Sequence, residues 1–325
     1  MKSFKARLKE KFDYDVSALE PYVDQQSEDI FTDLLYGAGL TSRINVMENV
    51  KGQEAIKLLN VNFDLQNATG CTLSDDGTVI FDDVNITTKR IGVQFALCND
   101  DLNGTWAQML LAIGANRQDE EMPLEDVITA YVVKSARKKN QDLMFLGDTG
   151  SLDPNLNFYN GFVKLWDTDA TVLHANRTGV LIDNTNAFAN FMSVYNKIPT
   201  ELFDNQVEIE IITGRQELRA LIDEIWNDKD YNAKLEVTEE GGELTCILPT
   251  TSVRIRTYSQ LNGKNQIYAV PYQYMFFGTD LESDLDGFFI KFLEAEEKLR
   301  FGMKWRSGIQ YVFGKYFVRL AAHAS

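Results

Sequence analysis

Residues 124–162 read LEDVITAYVVKSARKKNQDLMFLGDTGSLDPNLNFYNGF. Leu124, Val127, Ile128, Tyr131 and Val132 recur at helical spacing along one stripe, which predicts a single amphipathic helix over 124–146. Asp119, Glu120 and Glu121 precede it and Pro123 suits its first turn. Lys134, Arg137, Lys138 and Lys139 fall in its C-terminal half, a charge order that complements the helix dipole. At the usual rise per residue the helix is roughly 33 Å long, a spine rather than a filler. Gly147 is a natural stop, and a second glycine follows in Asn160-Gly161-Phe162.

On the N-terminal side, residues 55–97 change to period-two patterning, as in Val61-Asn62-Phe63-Asp64-Leu65 and Thr78-Val79-Ile80-Phe81. Asn67-Ala68-Thr69-Gly70 and Asp75-Asp76-Gly77 stand between these runs, and the Asp-Gly pair is a strong tight-turn signal. The segment reads as one long, polar hairpin, of a kind that needs a partner surface. Residues 1–54 read as an arm with a helix start at Ser27-Glu28-Asp29, halted by Gly37 and Gly39. On the C-terminal side, Val207–Ile212 predicts a strand. Thr213 then opens a helix over 217–226 with Gln216 as capping partner and Leu218, Leu221, Ile222 and Ile225 on one face. The closing fifty residues return to strands at 288–292, 299–305 and 310–318. Strand–helix alternation of this kind gives an α+β fold class.

The 325 residues carry a net charge of −16. An acidic whole argues against a protein whose main task is gripping nucleic acid. The charge is segregated: Lys2, Lys5, Arg7, Lys9 and Lys11 crowd the first twelve residues against Glu10 alone, and no acidic residue follows Lys298. Such a pattern can steer like subunits edge to face. No run is long and apolar enough for a membrane span, and the N-terminus lacks an apolar signal core, so no membrane partner is expected. Cys71, Cys98 and Cys246 show no metal-ligand spacing and read as reduced thiols.

Three constellations tempt a chemical reading. Asp148-Thr149-Gly150-Ser151 matches an aspartic-peptidase signature, but it follows a helix and has no second copy with which to share a proton. Glu282-Ser283-Asp284-Leu285-Asp286-Gly287 resembles half a calcium loop, yet the twelfth position is Leu293. A metal-dependent hydrolase would draw on Asp280, Asp284 and Asp286. His174 and His323 are too sparse for a histidine metal site. No catalytic, cofactor or metal residues are therefore assigned, and self-assembly fits better than catalysis.

The order of elements resembles a tailed-bacteriophage major capsid protein of the Hong Kong ninety-seven fold. The order is a basic arm, an extended hairpin, Leu97-Cys98-Asn99-Asp100-Asp101-Leu102, the spine helix, Gly147-Asp148-Thr149-Gly150 with Gly161-Phe162, a central α+β portion, and strands ending Trp305–Tyr311 and Tyr316–Leu320. Within that family it is similar to capsid proteins of crAss-like and related Bacteroidota phages. The resemblance implies an arm at 1–54, an extension hairpin (E-loop) at 55–97 and a peripheral domain at 98–179. An axial domain at 180–272 and return strands at 273–325 complete the expectation. It implies a structural subunit that is no enzyme and needs no cofactor, assembling with itself into hexamers and pentamers of a virion shell in the host cytoplasm. Packaged double-stranded DNA, a portal protein and a separate scaffold protein, or none, would be its other partners. Expected inter-subunit contacts are Lys5, Arg7, Lys9, Asn67, Asp75, Asp76, Lys89, Arg90, Arg137 and Lys138. The nearest alternative is an encapsulin shell of the same fold.

Overall fold

A computed structural model of the chain describes residues 39–62, 78–98, 124–227, 237–240, 242–249, 251–280, 289–293 and 298–320. The chain divides into two compact units. Residues 90–138 and 280–306 contribute the described parts of the first unit, and 38–89, 139–279 and 307–325 those of the second.

The second unit is built on a seven-stranded sheet. Its strands are β5 (Leu173–Ala175), β6 (Ile209–Thr213), β7 (Thr238–Glu240), β8 (Glu243–Ile247), β9 (Arg254–Thr257), β10 (Ile267–Pro271) and β14 (Val318–Leu320). They lie in the order β5-β14-β10-β6-β9-β8-β7, with β6 parallel to β9 and antiparallel to β10. All five residues of β6 are buried, because the central strand is covered on both faces. Ile209, Ile211, Ile255, Ile267 and Ala269 point to one face. There they meet Phe191 and Val194 of helix α3 (Ala187–Lys197) and Leu218, Leu221 and Ile225 of helix α5 (Arg215–Asn227). A short helix, α4 (Thr200–Asp204), adds Leu202 to this core.

The opposite face is aromatic. Trp166, on helix α2 (Phe162–Thr168), packs 5.1 Å from the Tyr268 ring and 5.8 Å from Phe317. Phe145, near the end of helix α1 (Leu124–Leu146), packs 4.9 Å from Tyr258. Gln260 donates to Asp142 across 3.0 Å and ties the same helix end to the turn Ser259–Leu261.

Helix α1 occupies the range its periodicity gives. Of the expected stripe, Tyr131 is 62% exposed and Val132 half-buried, and the side chains of Leu124, Val127 and Ile128 lie outside the described residues; farther along, Val133, Ala136, Asn140, Leu143 and Met144 are buried. Its exit explains the two glycines. The Gly161 N–H donates to the Gly147 carbonyl across 2.7 Å. A Cβ on Gly147 would stand 2.4 Å from the Tyr159 carbonyl oxygen, and one on Gly161 would stand 2.5 Å from that of Phe145. Two backbones touch here, so neither position has room for a side chain.

The hairpin belongs to the second unit. Strand β2 (Gln53–Asn62) pairs with β3 (Thr78–Thr87) over ten facing residues. The ladder is shorter than the segment at 55–97 expected from the sequence. Thr88 turns the chain by donating its N–H to Gly52 and its hydroxyl to Val50, and β4 (Lys89–Cys98) pairs instead with β13 (Lys298–Tyr311). At the hairpin base Ile56 and Ile86 are buried with Val50 and Val312. Beside it, β1 (Asn45–Met47) runs parallel to β11 (Met275–Gly278), which pairs with residues 308–311 of β13.

In the first unit, β12 (Phe289–Leu293) pairs with residues 298–302 of β13, and Phe95 of β4 stacks on Phe301 at 5.2 Å. The strand expected at 299–305 runs on to Tyr311 as one fourteen-residue strand, and the one expected at 310–318 is broken by the left-handed Phe313 (φ 56°) and the turn Gly314–Tyr316 before β14. Two further expectations shift. The strand expected at 207–212 is Ile209–Thr213, and the following helix begins at Arg215. Thr213 does not cap that helix, because its hydroxyl donates to the Gln266 carbonyl. The arm helix, the hairpin tip with Cys71, and the Glu282–Gly287 loop lie outside the described residues.

Candidate assembly surfaces

Asp148, Asp280 and His174 are engaged in local structure, while Asp284 and Asp286 lie outside the described residues. Asp148 accepts the Gly150 N–H at 2.9 Å and a bond from Lys164 at 3.1 Å. The Gly150 bond first, and Lys164 after it, hold the carboxyl below its ordinary value, so it stays ionised rather than sharing a proton. Asp280 is buried, with Arg306 3.5 Å away as its ion-pair partner. Among the described residues no group of histidine, cysteine, aspartate or glutamate could hold a metal ion. His174 lies exposed on β5, accepting a bond from Arg319. Cys246 is a free thiol inside the sheet core, and burial pushes it up to about 12.

The strongest ionic feature is internal. Arg256 and Glu210 are both buried, on adjacent parallel strands, joined by bonds of 2.8 and 3.3 Å. Tyr272 donates to Glu210 and Glu243 accepts from Arg256. Burial works against the charge on Arg256, but the hydrogen bonds and charge of Glu210 outweigh it and raise the guanidinium's pKa. Burial raises Glu243 despite Arg256 and Arg43 nearby. The central pair is part of the sheet core, and Arg43 and Arg254 reach Glu210 from its more exposed side.

The expected contact residues fall into three groups. Lys5, Arg7, Lys9, Asn67, Asp75 and Asp76 lie outside the described residues. Lys89 and Arg90 are exposed neighbours at the start of β4. Arg137 and Lys138 sit midway along α1, the first partly buried and the second exposed. Sequence reading missed a different class, large apolar side chains left in solvent. Leu59 is 59% exposed on the hairpin and Trp226 86% exposed near the end of α5, with Val180 and Leu181 exposed on the loop before α3. The Leu58-Leu59 pair was the available signal, since adjacent apolar residues in a strand serve opposite faces.

A cleft of about 580 Å³ lies at the hairpin base, between Leu58 and Val84 of the hairpin, Leu165 of α2, and Val312 and Phe313. Asp169 borders it and is already engaged, accepting from the Tyr311 hydroxyl at 2.5 Å and from Thr171. Burial works to raise its pKa, and these bonds outweigh burial and lower it.

No family model and no curated protein sequence matches this chain. Solved structures do. The chain is similar to one in the satellite phage P4 procapsid that includes the size determination protein, with a TM-score of 0.59 at 11% identity, covering 91% of this chain and 99% of that one. It is similar to a chain in the capsid of an empty GTA particle, with a TM-score of 0.57 at 12% identity over 87% of this chain and 89% of the other. The capsid of Myoviridae phage XM1 gives 0.54 at 10% identity over 87% and 92%. An α+β chain with this element order, matched nearly end to end by these shells, has the Hong Kong ninety-seven-type capsid fold.

Proposed function

We propose that the chain is the major capsid protein of a tailed bacteriophage, a non-enzymatic subunit that assembles with copies of itself into an icosahedral head around double-stranded DNA. The observation that carries the reading is the near-complete span of the likeness to a procapsid chain. The surface supports it: large apolar side chains stand in solvent on the hairpin and on α5, where a second protein surface would cover them. In this reading the β2–β3 hairpin is the extension loop, the helices and sheet within 180–272 surround the capsomer axes, and α1 with the return strands forms the peripheral part. Lys89, Arg90, Arg137 and Lys138, with the arm and hairpin-tip residues, contact neighbouring subunits. Scaffold, portal and genome are its partners inside the host cytoplasm, the genome held without sequence preference because the chain is acidic as a whole. The likeness to crAss-like phage proteins rests on element order alone.

An encapsulin shell shares this fold and differs in what it encloses. Sedimentation velocity across a concentration series tests the assembly reading: a step from small species to particles of shell mass is expected. A chain that stays monomeric at every concentration, with and without lysate from infected cells, contradicts it. Nucleic acid rather than a folded enzyme inside particles isolated from the native source separates phage head from encapsulin.

A further inference from the structure

We propose that His174 is an acid-sensitive latch: while its imidazole is neutral it holds strand β5 to β14 through Arg319, and protonation releases that strand. The inference does not depend on the assembly reading.

Strand β5 has a small ladder. It is three residues long, stands at the end of the strand order, and pairs in parallel with β14 alone, Leu173 with Val318, His174 with Arg319 and Ala175 with Leu320. Ala175 is buried in the sheet core, so its neighbour His174 points to the opposite face. There the Arg319 Nε donates to the His174 Nε2 across 3.3 Å. A ring nitrogen that accepts a hydrogen bond carries no proton, so this bond exists only for the neutral imidazole. The same guanidinium pairs with Asp167 of α2, and its side chain is only 11% exposed. Protonating Nε2 removes the acceptor and sets a second cation beside a largely buried one. Asp167 is then the one carboxylate at hand to offset both charges.

The charges that act on His174 are Arg319 from β14 and Asp167 from α2. Tyr268, third in the row on β10, is held neutral by burial. Helix α3 covers the other face of β5 and carries Tyr195 and Lys197, while the turn Gly314–Tyr316 brings Lys315 and Tyr316 beside the strand. Asp169 and Arg177 flank β5 along the chain. Burial and then Arg319 lower the imidazole below 6.5, against the pull of Asp167. A histidine lowered in this way contributes stability that is complete above 6.5 and lost as pH falls through its folded value. Short edge elements open locally without the rest of the fold, so the loss falls on β5.

Hydrogen exchange of the full chain, corrected for the intrinsic pH dependence of exchange, is compared at about pH 7.5 and about pH 5 on peptides spanning residues 172–176. Protection there is expected to fall about tenfold at the lower pH in the unmodified chain, while β6 and β10 at the sheet centre keep theirs. His174→Gln keeps an acceptor for Arg319 and does not titrate, so its protection should stay level. His174→Lys, a permanent cation, should show low protection at both pH values. Level protection in the unmodified chain, an equal fall in His174→Gln, or a fall that extends to β6 and β10 overturns the latch. If His174→Lys does not fold, the unmodified chain against His174→Gln decides alone.

Discussion

Gly161 has no room for a methyl group, since the carbonyl oxygen of Phe145 would lie 2.5 Å from its Cβ. Gly161→Ala is expected to cost about 1–3 kcal/mol, read as a lower urea midpoint with an unchanged slope. Gly150 serves as the control, because the nearest atom to a Cβ there is the Asp148 side chain at 3.4 Å. Glu210→Ala leaves buried Arg256 with Glu243, 3.3 Å away, as its remaining acidic partner and should lose up to about 3–5 kcal/mol. Replacing Glu210 and Arg256 together with apolar residues of similar volume should recover most of that loss, which separates the cost of the charge left behind from the worth of the pair. Legibility at this scale was uneven. The glycines at 147 and 161 stand out in the sequence, but the backbone contact between residues fourteen apart cannot be seen there. The Glu210–Arg256 pair was hidden because Val207–Ile212 reads as simple alternation, and nothing in that pattern says that both faces are buried.

At the scale of elements, strong local periodicity was readable and strand boundaries were not. Helix α1 followed from spacing alone, while its buried face was set by what it packs against, leaving Tyr131 outside and Asn140 inside. Residues 89–98 alternate much as 78–87 do, and the turn between them is made by Thr88 rather than by glycine or proline, so the two strands read as one arm of the hairpin. The left-handed Phe313 ends a strand run that looks continuous in sequence. Loop carboxylates give these elements a pH dependence. Asp148, Asp153 and Asp183 sit below the ordinary 3.8 chiefly through hydrogen bonds within their own turns, and Asp169 sits below it because its bonds outweigh burial. A depressed carboxyl contributes stability that is complete above its unfolded value and lost as pH falls through the folded one. Glu243, raised by burial, acts in the opposite sense: its contribution is complete below 4.5 and lost as pH rises through its folded value. With four groups against one, thermal midpoints should fall steeply below about pH 4. Midpoints that stay level to pH 2 would contradict this.

For the whole molecule, subunits carrying a net −16 repel one another, while the exposed apolar surface on the hairpin favours association. Raising salt from about 10 mM to about 150 mM screens the repulsion and should therefore increase assembly, measured by light scattering. A decrease would instead mean that pairing between the basic termini and acidic faces drives association. The fold of the whole was legible because element order survives where sequence identity has fallen to 11%. The measurement that bears most directly on the account is negative-stain electron microscopy of the purified chain after concentration. Closed shells built of five- and six-membered capsomers are the expected result. Fields of dispersed single chains under conditions where the chain is folded, with or without native lysate, would contradict the proposal that this protein is a shell subunit.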